Sequence, residues 1–172
     1  GVPWEQGADG KPWAMACTKA FRMGNVDWGR VQNTPEMRTR AKSCLQDAID
    51  RGEFDSPVVL NKRPINYALG TRTHIPPYRR EHLSVASRLL KVDPLDPFDM
   101  TRAEREGREQ ARQSAEAVRE CVPGYEKAYL LDTSNHLGVR SSRRVQGIER
   151  VTDEDALEFR KYEDGIARSS WD

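Results

Sequence analysis

Apolar residues recur at helical spacing in residues 33–52. Thr34 suits the N-cap of a helix, and Pro35 suits its first position, because proline lacks the N–H group that stays unpaired there. The apolar positions fall on one face and are Met37, Ala41, Cys44, Leu45, Ala48 and Ile49. This pattern predicts an amphipathic helix that ends at Gly52.

Three further segments have helical features. Thr101 followed by Glu104 is the signature of a capping box, which predicts a helix that runs to Cys121 and stops at the sequence Val-Pro-Gly. Its interior is charged except for a thin apolar stripe formed by Ala111, Ala115 and Val118. Residues 152–169 open with acidic residues, which the helix dipole favours at an N-terminus. A helix is also predicted over residues 79–90.

Evenly spaced apolar residues and short apolar runs predict five strands. They are residues 14–28, 56–61, 63–76, 125–134 and 141–151. Strands interrupted by helices, with hairpin and crossover links mixed, predict an α+β fold: a mixed, largely antiparallel sheet with several amphipathic helices packed on it. We expect a single domain, 1–172, because the length suits one core and is short for two.

The composition narrows the classes of function. The 28 basic and 27 acidic residues leave a net charge of +1, whereas a dedicated nucleic-acid-binding protein needs a clear basic excess. No apolar run reaches the roughly 20 residues that span a bilayer. We therefore expect neither a nucleic-acid nor a membrane partner. With 37% hydrophobic residues, the core is expected to be modest or shared with something else.

Cysteine and histidine spacing gives no sign of a metal site. Cys17, Cys44 and Cys121 are odd in number, lie far apart and include no Cys-x-x-Cys pair. The sequence therefore predicts buried free thiols, which favour a reducing, cytoplasmic setting. The three histidines lack the spacing of metal ligands.

The chain carries no recognisable motif of a complete active site. It has no Gly-rich loop that would cradle a phosphate and no Gly-x-Ser-x-Gly turn that would present a nucleophile. The chemistry that stands out is cationic, in two clusters of basic residues.

The first basic cluster is residues 138–147, GVRSSRRVQG. On a strand, Arg140 and Arg144 would share one face, and Arg143 would lie with two valines on the other; on a helix, Arg140 and Arg144 would again be neighbours. An arginine on an apolar face needs a carboxylate or phosphate, so we expect Arg143 to pair with a buried aspartate or a ligand. The alternative is that these are surface arginines paired with the many acidic residues.

The second basic cluster surrounds the double proline of residues 76–77. It comprises Arg72, His74, Arg79 and Arg80, at the end of a predicted strand. The same two readings apply: an anion site, or a solvated basic surface.

Several segments resemble the central part of large FAD-dependent oxidoreductases of the glutathione-reductase-like type. The matching motifs are the helix start Asp99–Arg108, the turn Val122–Ala128, the arginine segment Gly138–Gly147 and the acidic helix start Thr152–Asp155. Residues 21–28 resemble a strand of the substrate domain in these proteins. The chain departs from the family pattern at Ser141, where an acidic residue is common, and near Glu149, where a tyrosine is common.

The resemblance implies a flavoprotein whose FAD is held by two parts that flank this segment. Residues 1–172 would then be the inserted substrate (cap) domain, without the flavin-binding halves. It implies FAD as cofactor of the parent protein, no tight FAD binding by these residues and no activity of this chain alone.

The resemblance also assigns roles to the basic residues. It implies that Arg140, Arg143 and Arg144 contact the substrate or the edge of the flavin, with Arg72 and His74 as second choices. The implied partners are the flavin-binding domain of the same chain and a small-molecule substrate. The alternative is a free-standing module that binds anions or an acidic partner through its arginines, with an affinity that falls steeply as salt rises.

Overall fold

The computed structural model describes residues 1–7, 10–13, 15–70 and 79–165. Within these ranges the helices are α1 (Pro35–Asp50), α2 (Pro57–Leu60), α3 (Arg63–Gly70), α4 (Pro97–Cys121) and α5 (Asp153–Leu157). The strands are β1 (Trp4–Gln6), β2 (Phe21–Gly24), β3 (His82–Ser84), β4 (Tyr129–Thr133) and β5 (Arg143–Val145). Helices with small antiparallel sheets confirm the predicted α+β class.

The contacts of the chain group into two units. The large unit is Gln6–Ser142, and the small unit joins Gly1–Glu5 to the chain from Arg143 onward. We describe each unit by itself, and the expectation of a single domain stays a prediction.

Helix α1 confirms the predicted amphipathic helix. The Thr34 side chain accepts a hydrogen bond from the Met37 amide at 3.2 Å, and Pro35 is the first helical residue. Ala41, Leu45 and Ala48 are buried on the predicted face. Cap and apolar pattern agree here, which is why the start and the packing face could be predicted together.

Helix α4 begins four residues before the predicted capping box, so the predicted start was wrong. Asp96 caps it by accepting from the Phe98 amide at 2.9 Å, and the Thr101 hydroxyl donates to the Pro97 carbonyl within the first turn. The predicted end at Cys121 is confirmed.

Helix α4 is the centre of the large unit. The predicted apolar stripe of Ala111, Ala115 and Val118 is buried, as expected. Around the helix pack α1, α2, α3 and β4. Small residues on this stripe let the neighbouring elements approach the helix axis closely.

The sheet of the large unit has the order β3-β2-β4, with both pairs antiparallel. The strand predicted over 125–134 is confirmed as β4. The strand predicted over 14–28 is confirmed only as β2, and residue 14 of it lies outside the described residues. Before β2, Cys17 and Thr18 form isolated bridges to Leu89 and Gly138.

Two predicted strands are helices instead. Residues 57–60 form α2, where Pro57 occupies the first helical position and Val58 and Val59 are buried. Residues 63–70 form α3, whose buried Ile65, Ala68 and Leu69 have helical spacing; residues 71–76 of that predicted strand lie outside the described residues. Short apolar runs satisfy both periods, and packing against α4 selects the helix.

The helix predicted over 79–90 is wrong, because β3 lies there. His82 and Ser84 are buried and Leu83 is exposed, which is the alternation of a strand. Two serines bond to backbone in place of helical hydrogen bonds: the Ser84 hydroxyl accepts from the Ala86 amide, and the Ser87 hydroxyl bonds both the amide and the carbonyl of Lys19. Such side-chain bonds compete with helix formation.

The small unit contains β1, β5 and α5. β1 and β5 form a two-stranded sheet, which confirms a strand at Arg143–Val145 within the predicted 141–151. α5 has the capping box formed by Thr152 and Asp155 but ends at Leu157, and residues 166–169 of the longer predicted helix lie outside the described residues. None of the described residues of this unit is buried.

The cysteines correct the prediction of free thiols. Cys44 on α1 and Cys121 at the end of α4 form a disulfide, with Cα atoms 5.5 Å apart. Cys17 alone stays a free, buried thiol. The two half-cystines are 77 positions apart, so spacing carried no sign of the pair, and the argument for a reducing compartment loses its basis.

Candidate functional site

Arg140 is exposed and follows a firmly held backbone segment of the large unit. The amide of Gly138 donates to the carbonyl of Thr18 at 2.7 Å, and the amide of Thr18 donates to the carbonyl of Gly138 at 3.2 Å. The neighbouring Leu137 side chain is buried against Cys17, Leu89, Val92 and Ala103. The Arg140 side chain thus extends to solvent two residues after Gly138, whose backbone is bonded to Thr18.

An ion pair between a buried lysine and a half-buried glutamate contacts this segment. The Lys19 side chain is fully buried, and its Nζ is 2.6 Å from Oε2 of Glu104. Oε1 of the same carboxylate accepts the Leu137 amide at 2.9 Å. Glu104 therefore joins α4 to both the start of β2 and the segment that carries Arg140.

Gly107 allows Lys19 to lie against α4. A Cβ atom at Gly107 would come within 2.8 Å of Lys19 Cβ and 3.3 Å of Leu89 Cδ1. Glu104 and Gly107 are both positions of the Asp99–Arg108 motif; Glu104 bonds the Leu137 amide, and Gly107 lies against Lys19 and Leu89. The Asp99–Arg108 motif thus contacts the residue that directly precedes the Gly138–Gly147 motif.

The nearby Cys17 thiol does not lie in an environment that would activate it as a nucleophile. Burial raises the pKa of Cys17, and Asp99 adds to the rise, while Arg140 acts in the opposite direction with a smaller effect than burial. A raised thiol pKa keeps the sulfur protonated and unreactive at neutral pH.

Arg143 and Arg144 lie on β5 of the small unit. The guanidinium of Arg143 lies over the Trp4 ring, 5.2 Å from its centroid, in a cation–π contact. Arg144 pairs with Glu5 at 3.3 Å, and Arg150 approaches the same carboxylate at 3.9 Å. Among the described residues Arg143 pairs with no buried aspartate, so of its two expected partners only the ligand stays a prediction.

The predicted site residues are divided between the two units. Arg140 belongs to the large unit, whereas Arg143 and Arg144 belong to the small one. Arg72 and His74 lie outside the described residues. The surface-pair alternative describes Arg144, which has Glu5, better than it describes Arg140 or Arg143.

Sequence reasoning missed an aromatic cluster in the large unit. The hydroxyl of Tyr125 and Nδ1 of His82 are hydrogen-bonded at 3.0 Å, and both rings contact Trp28 edge to face. Burial lowers the pKa of His82 to about 4 and raises that of Tyr125, so both side chains are neutral near pH 7. Nε2 of His82 and Nε1 of Trp28 are buried and have no partner among the described residues. Tyr125 lies in the Val122–Ala128 motif, which was the one available sequence signal.

The starts of α1, α2 and α4 do not fit the pyrophosphate of a flavin dinucleotide. Helices α1, α2 and α4 begin with proline, and Asp96 and Asp99 place carboxylates at the start of α4. A pyrophosphate needs glycine amides and a helix N-terminus without acidic side chains. The starts of α1, α2 and α4 therefore lack these features, and the sequence contains no Gly-rich loop.

No helix of the described residues is long and apolar enough to cross a bilayer.

Comparison with protein families covers the whole chain. Residues 1–172 match the family described as FAD dependent oxidoreductase. The chain belongs to this family. No curated protein and no solved structure gives a significant match. The family match confirms the FAD-dependent oxidoreductase part of the resemblance, while the glutathione-reductase-like type stays a prediction.

Proposed function

We propose that residues 1–172 form the substrate-binding (cap) part of an FAD-dependent oxidoreductase and are catalytically silent by themselves. One observation supports this proposal: the whole chain matches the family, yet its sequence has no Gly-rich phosphate loop and α1, α2 and α4 begin with proline. Flavin binding then requires other polypeptide of the same protein. FAD supplies the redox chemistry when bound, and the residues described here bind and orient the substrate.

Arg140 and Arg143 are the strongest candidates for contact with the substrate or the edge of the flavin. Both are exposed, and neither guanidinium forms an ion pair with a described carboxylate. A guanidinium holds a carboxylate or phosphate through two parallel hydrogen bonds, so the favoured substrate is an anion or an electron-rich acid. Arg144 ranks below them because Glu5 already offsets its charge.

The exposed apolar surface of the small unit supports the proposal that another part of the protein covers it. Its apolar side chains are exposed: Val2, Val145, Ile148, Val151, Leu157 and Phe159 are each 63% accessible or more. Soluble proteins rarely leave such side chains uncovered together. We propose that the flavin-binding part of the protein covers them, in keeping with the family of the chain.

Two measurements test the proposal. FAD titrated into the 172-residue chain, followed by flavin fluorescence, is expected to show no tight binding; nanomolar affinity would contradict a cap without a flavin site.

In the complete flavoprotein, Arg140→Ala and Arg143→Ala are expected to shift the flavin midpoint potential to more negative values, because a nearby cation stabilises the reduced, anionic flavin. Arg30→Ala is the matched control, since Arg30 is an exposed arginine paired with Glu126. Unchanged potentials in both test variants would show that these arginines do not lie near the flavin.

A second function, an acidic-partner-binding module, is favoured by the exposed Arg140, Arg143 and Arg150. It predicts that the 172-residue chain binds a polyglutamate peptide and that the affinity falls steeply as salt rises. Binding that is absent at low salt would leave the cap-domain proposal alone.

A further inference from the structure

The ion pair between the buried Lys19 and the half-buried Glu104 calls for an explanation beyond stability. The Lys19 side chain has no solvent exposure, and Glu104 is the carboxylate that pairs with it among the described residues. Taking the Lys19 ammonium out of water costs free energy, and its attraction to a carboxylate often does no more than offset that cost. Such a pair is better understood by what its geometry fixes.

Glu104 uses its two oxygens for two different parts of the chain. Oε2 accepts from Lys19 Nζ, next to β2, and Oε1 accepts from the Leu137 amide. Thr18 and Gly138 exchange two backbone hydrogen bonds immediately beside this contact. The backbone of Leu137 and Gly138 is therefore held from two sides, by α4 and by the residues before β2.

We infer that Glu104 is the positioning residue of Arg140. By tying the Leu137 amide to the buried Lys19 ammonium, its carboxylate fixes the backbone from which the Arg140 side chain extends. That Arg140 meets an anion rests on the function proposed above, whereas the fixing of the backbone does not.

The buried Lys19 ammonium lets us predict how Glu104→Gln changes the hydrogen bond of the Leu137 amide. Glutamine has one acceptor oxygen. We expect it to accept from the Lys19 ammonium rather than from the Leu137 amide, because a buried charge without a partner costs more free energy than a buried amide without one. The glutamine NH₂ group then faces the Leu137 amide, donor against donor, and that hydrogen bond is lost. In Lys19→Met/Glu104→Gln the ammonium is gone, so the glutamine oxygen turns to Leu137 and the bond returns.

Amide hydrogen exchange of the 172-residue chain, resolved by NMR, tests the backbone step. Glu104→Gln is expected to raise the exchange rates of Leu137 and Gly138 by about tenfold or more, as befits the loss of a hydrogen bond to a charged group, with the amides between β2 and β4 unchanged. The double variant is expected to restore both rates. Glu116→Gln is the control, since Glu116 is an exposed α4 carboxylate that pairs with Arg112.

Two outcomes would overturn the inference: unchanged rates at Leu137 and Gly138 in Glu104→Gln, or an equal rise throughout α4. If Glu104→Gln fails to fold, Lys19→Met/Glu104→Leu decides. It leaves neither a buried charge nor an acceptor for the Leu137 amide, so exchange at Leu137 should rise, and an unchanged rate there would overturn the inference.

A double-mutant cycle in the complete flavoprotein tests the link to Arg140. Glu104→Gln is expected to reproduce part of the shift in flavin potential caused by Arg140→Ala, and to add nothing once Arg140 is removed. An equal effect of Glu104→Gln in both backgrounds would refute positioning through Arg140. A silent Arg140→Ala with altered exchange at Leu137 would refute the proposed place of Arg140 near the flavin and leave the backbone role of Glu104 intact.

Discussion

Cys44 and Cys121 are joined by a disulfide that fastens α1 to the last residue of α4. The bond closes a loop of 77 positions and so restricts the unfolded chain more than a short loop would. Replacing both cysteines by serine is expected to lower the free energy of unfolding by about 2–4 kcal/mol in urea titrations without reductant.

The control is the unmodified chain with dithiothreitol. It should fall to the stability of Cys44→Ser/Cys121→Ser, while the variant itself should not respond. A chain indifferent to reductant would contradict a disulfide that stabilises this fold.

Stability should fall in mild acid because His82 is buried in its neutral form. Its pKa is about 4 in the folded chain, below the ordinary value of about 6.5, so the unfolded chain binds more protons between these values. The free energy of unfolding is unaffected by this shift above about pH 6.5. It falls by about 3 kcal/mol in all as the pH falls towards 4.

Unfolding free energies of the chain at several pH values between about 7.5 and 4, compared with His82→Leu/Tyr125→Phe, isolate this effect. Removing both partners avoids leaving a buried Tyr125 hydroxyl unpaired. Carboxylates with lowered pKa values, such as Asp99, give a slope of the same sign in both proteins. The variant should therefore have the shallower profile, and parallel profiles would refute a neutral buried His82.

Gly124 is expected to tolerate no side chain. Its φ is +95°, and a Cβ atom would lie 2.6 Å from the Asp27 carbonyl oxygen. Gly52 also has a positive φ, +78°, but open space around it. Gly52→Ala should cost about 1 kcal/mol for the left-handed backbone, and Gly124→Ala measurably more in thermal unfolding. Equal losses would mean that the contact with Asp27 relaxes freely.

The small unit should exchange its amide hydrogens far faster than α4. None of its described residues is buried, so local opening there exposes almost no new apolar surface. Hydrogen-exchange mass spectrometry of the 172-residue chain should show early exchange over residues 143–165 and late exchange over residues 111–118. Protection of 143–165 that rises with protein concentration would point to a second copy of the chain as the cover of this surface.

The sequence predicted the elements whose local signals agree with one another. At α1 the cap, the proline and the apolar face indicate the same helix, and at β4 a short apolar run lies directly after a turn. At α2 and α3 the runs fit either period, and contact with α4 decided between them. Thr101 and Glu104 looked like a cap, but one bonds within the first turn and the other bonds Lys19 and Leu137.

The candidate site was predictable only in its residue types. Arg140 could be singled out from its neighbours, but its supports come from Thr18 and Glu104, which are distant in the chain and carry no mark of that role. The division of the arginines between two units depends on the pairing of β1 with β5, which a sequence pattern does not specify.

Pairing of β1 with β5 has a consequence for how such a protein can change over generations. Residues 6–142 begin at the end of β1 and lead into β5, the other strand of this two-stranded ribbon. A segment whose two ends are adjacent can be exchanged, enlarged or lost without rethreading the remainder. Residues 6–142 can thus be replaced as one cassette, while Arg143 and Arg144 on the remaining strand keep Trp4 and Glu5 as partners.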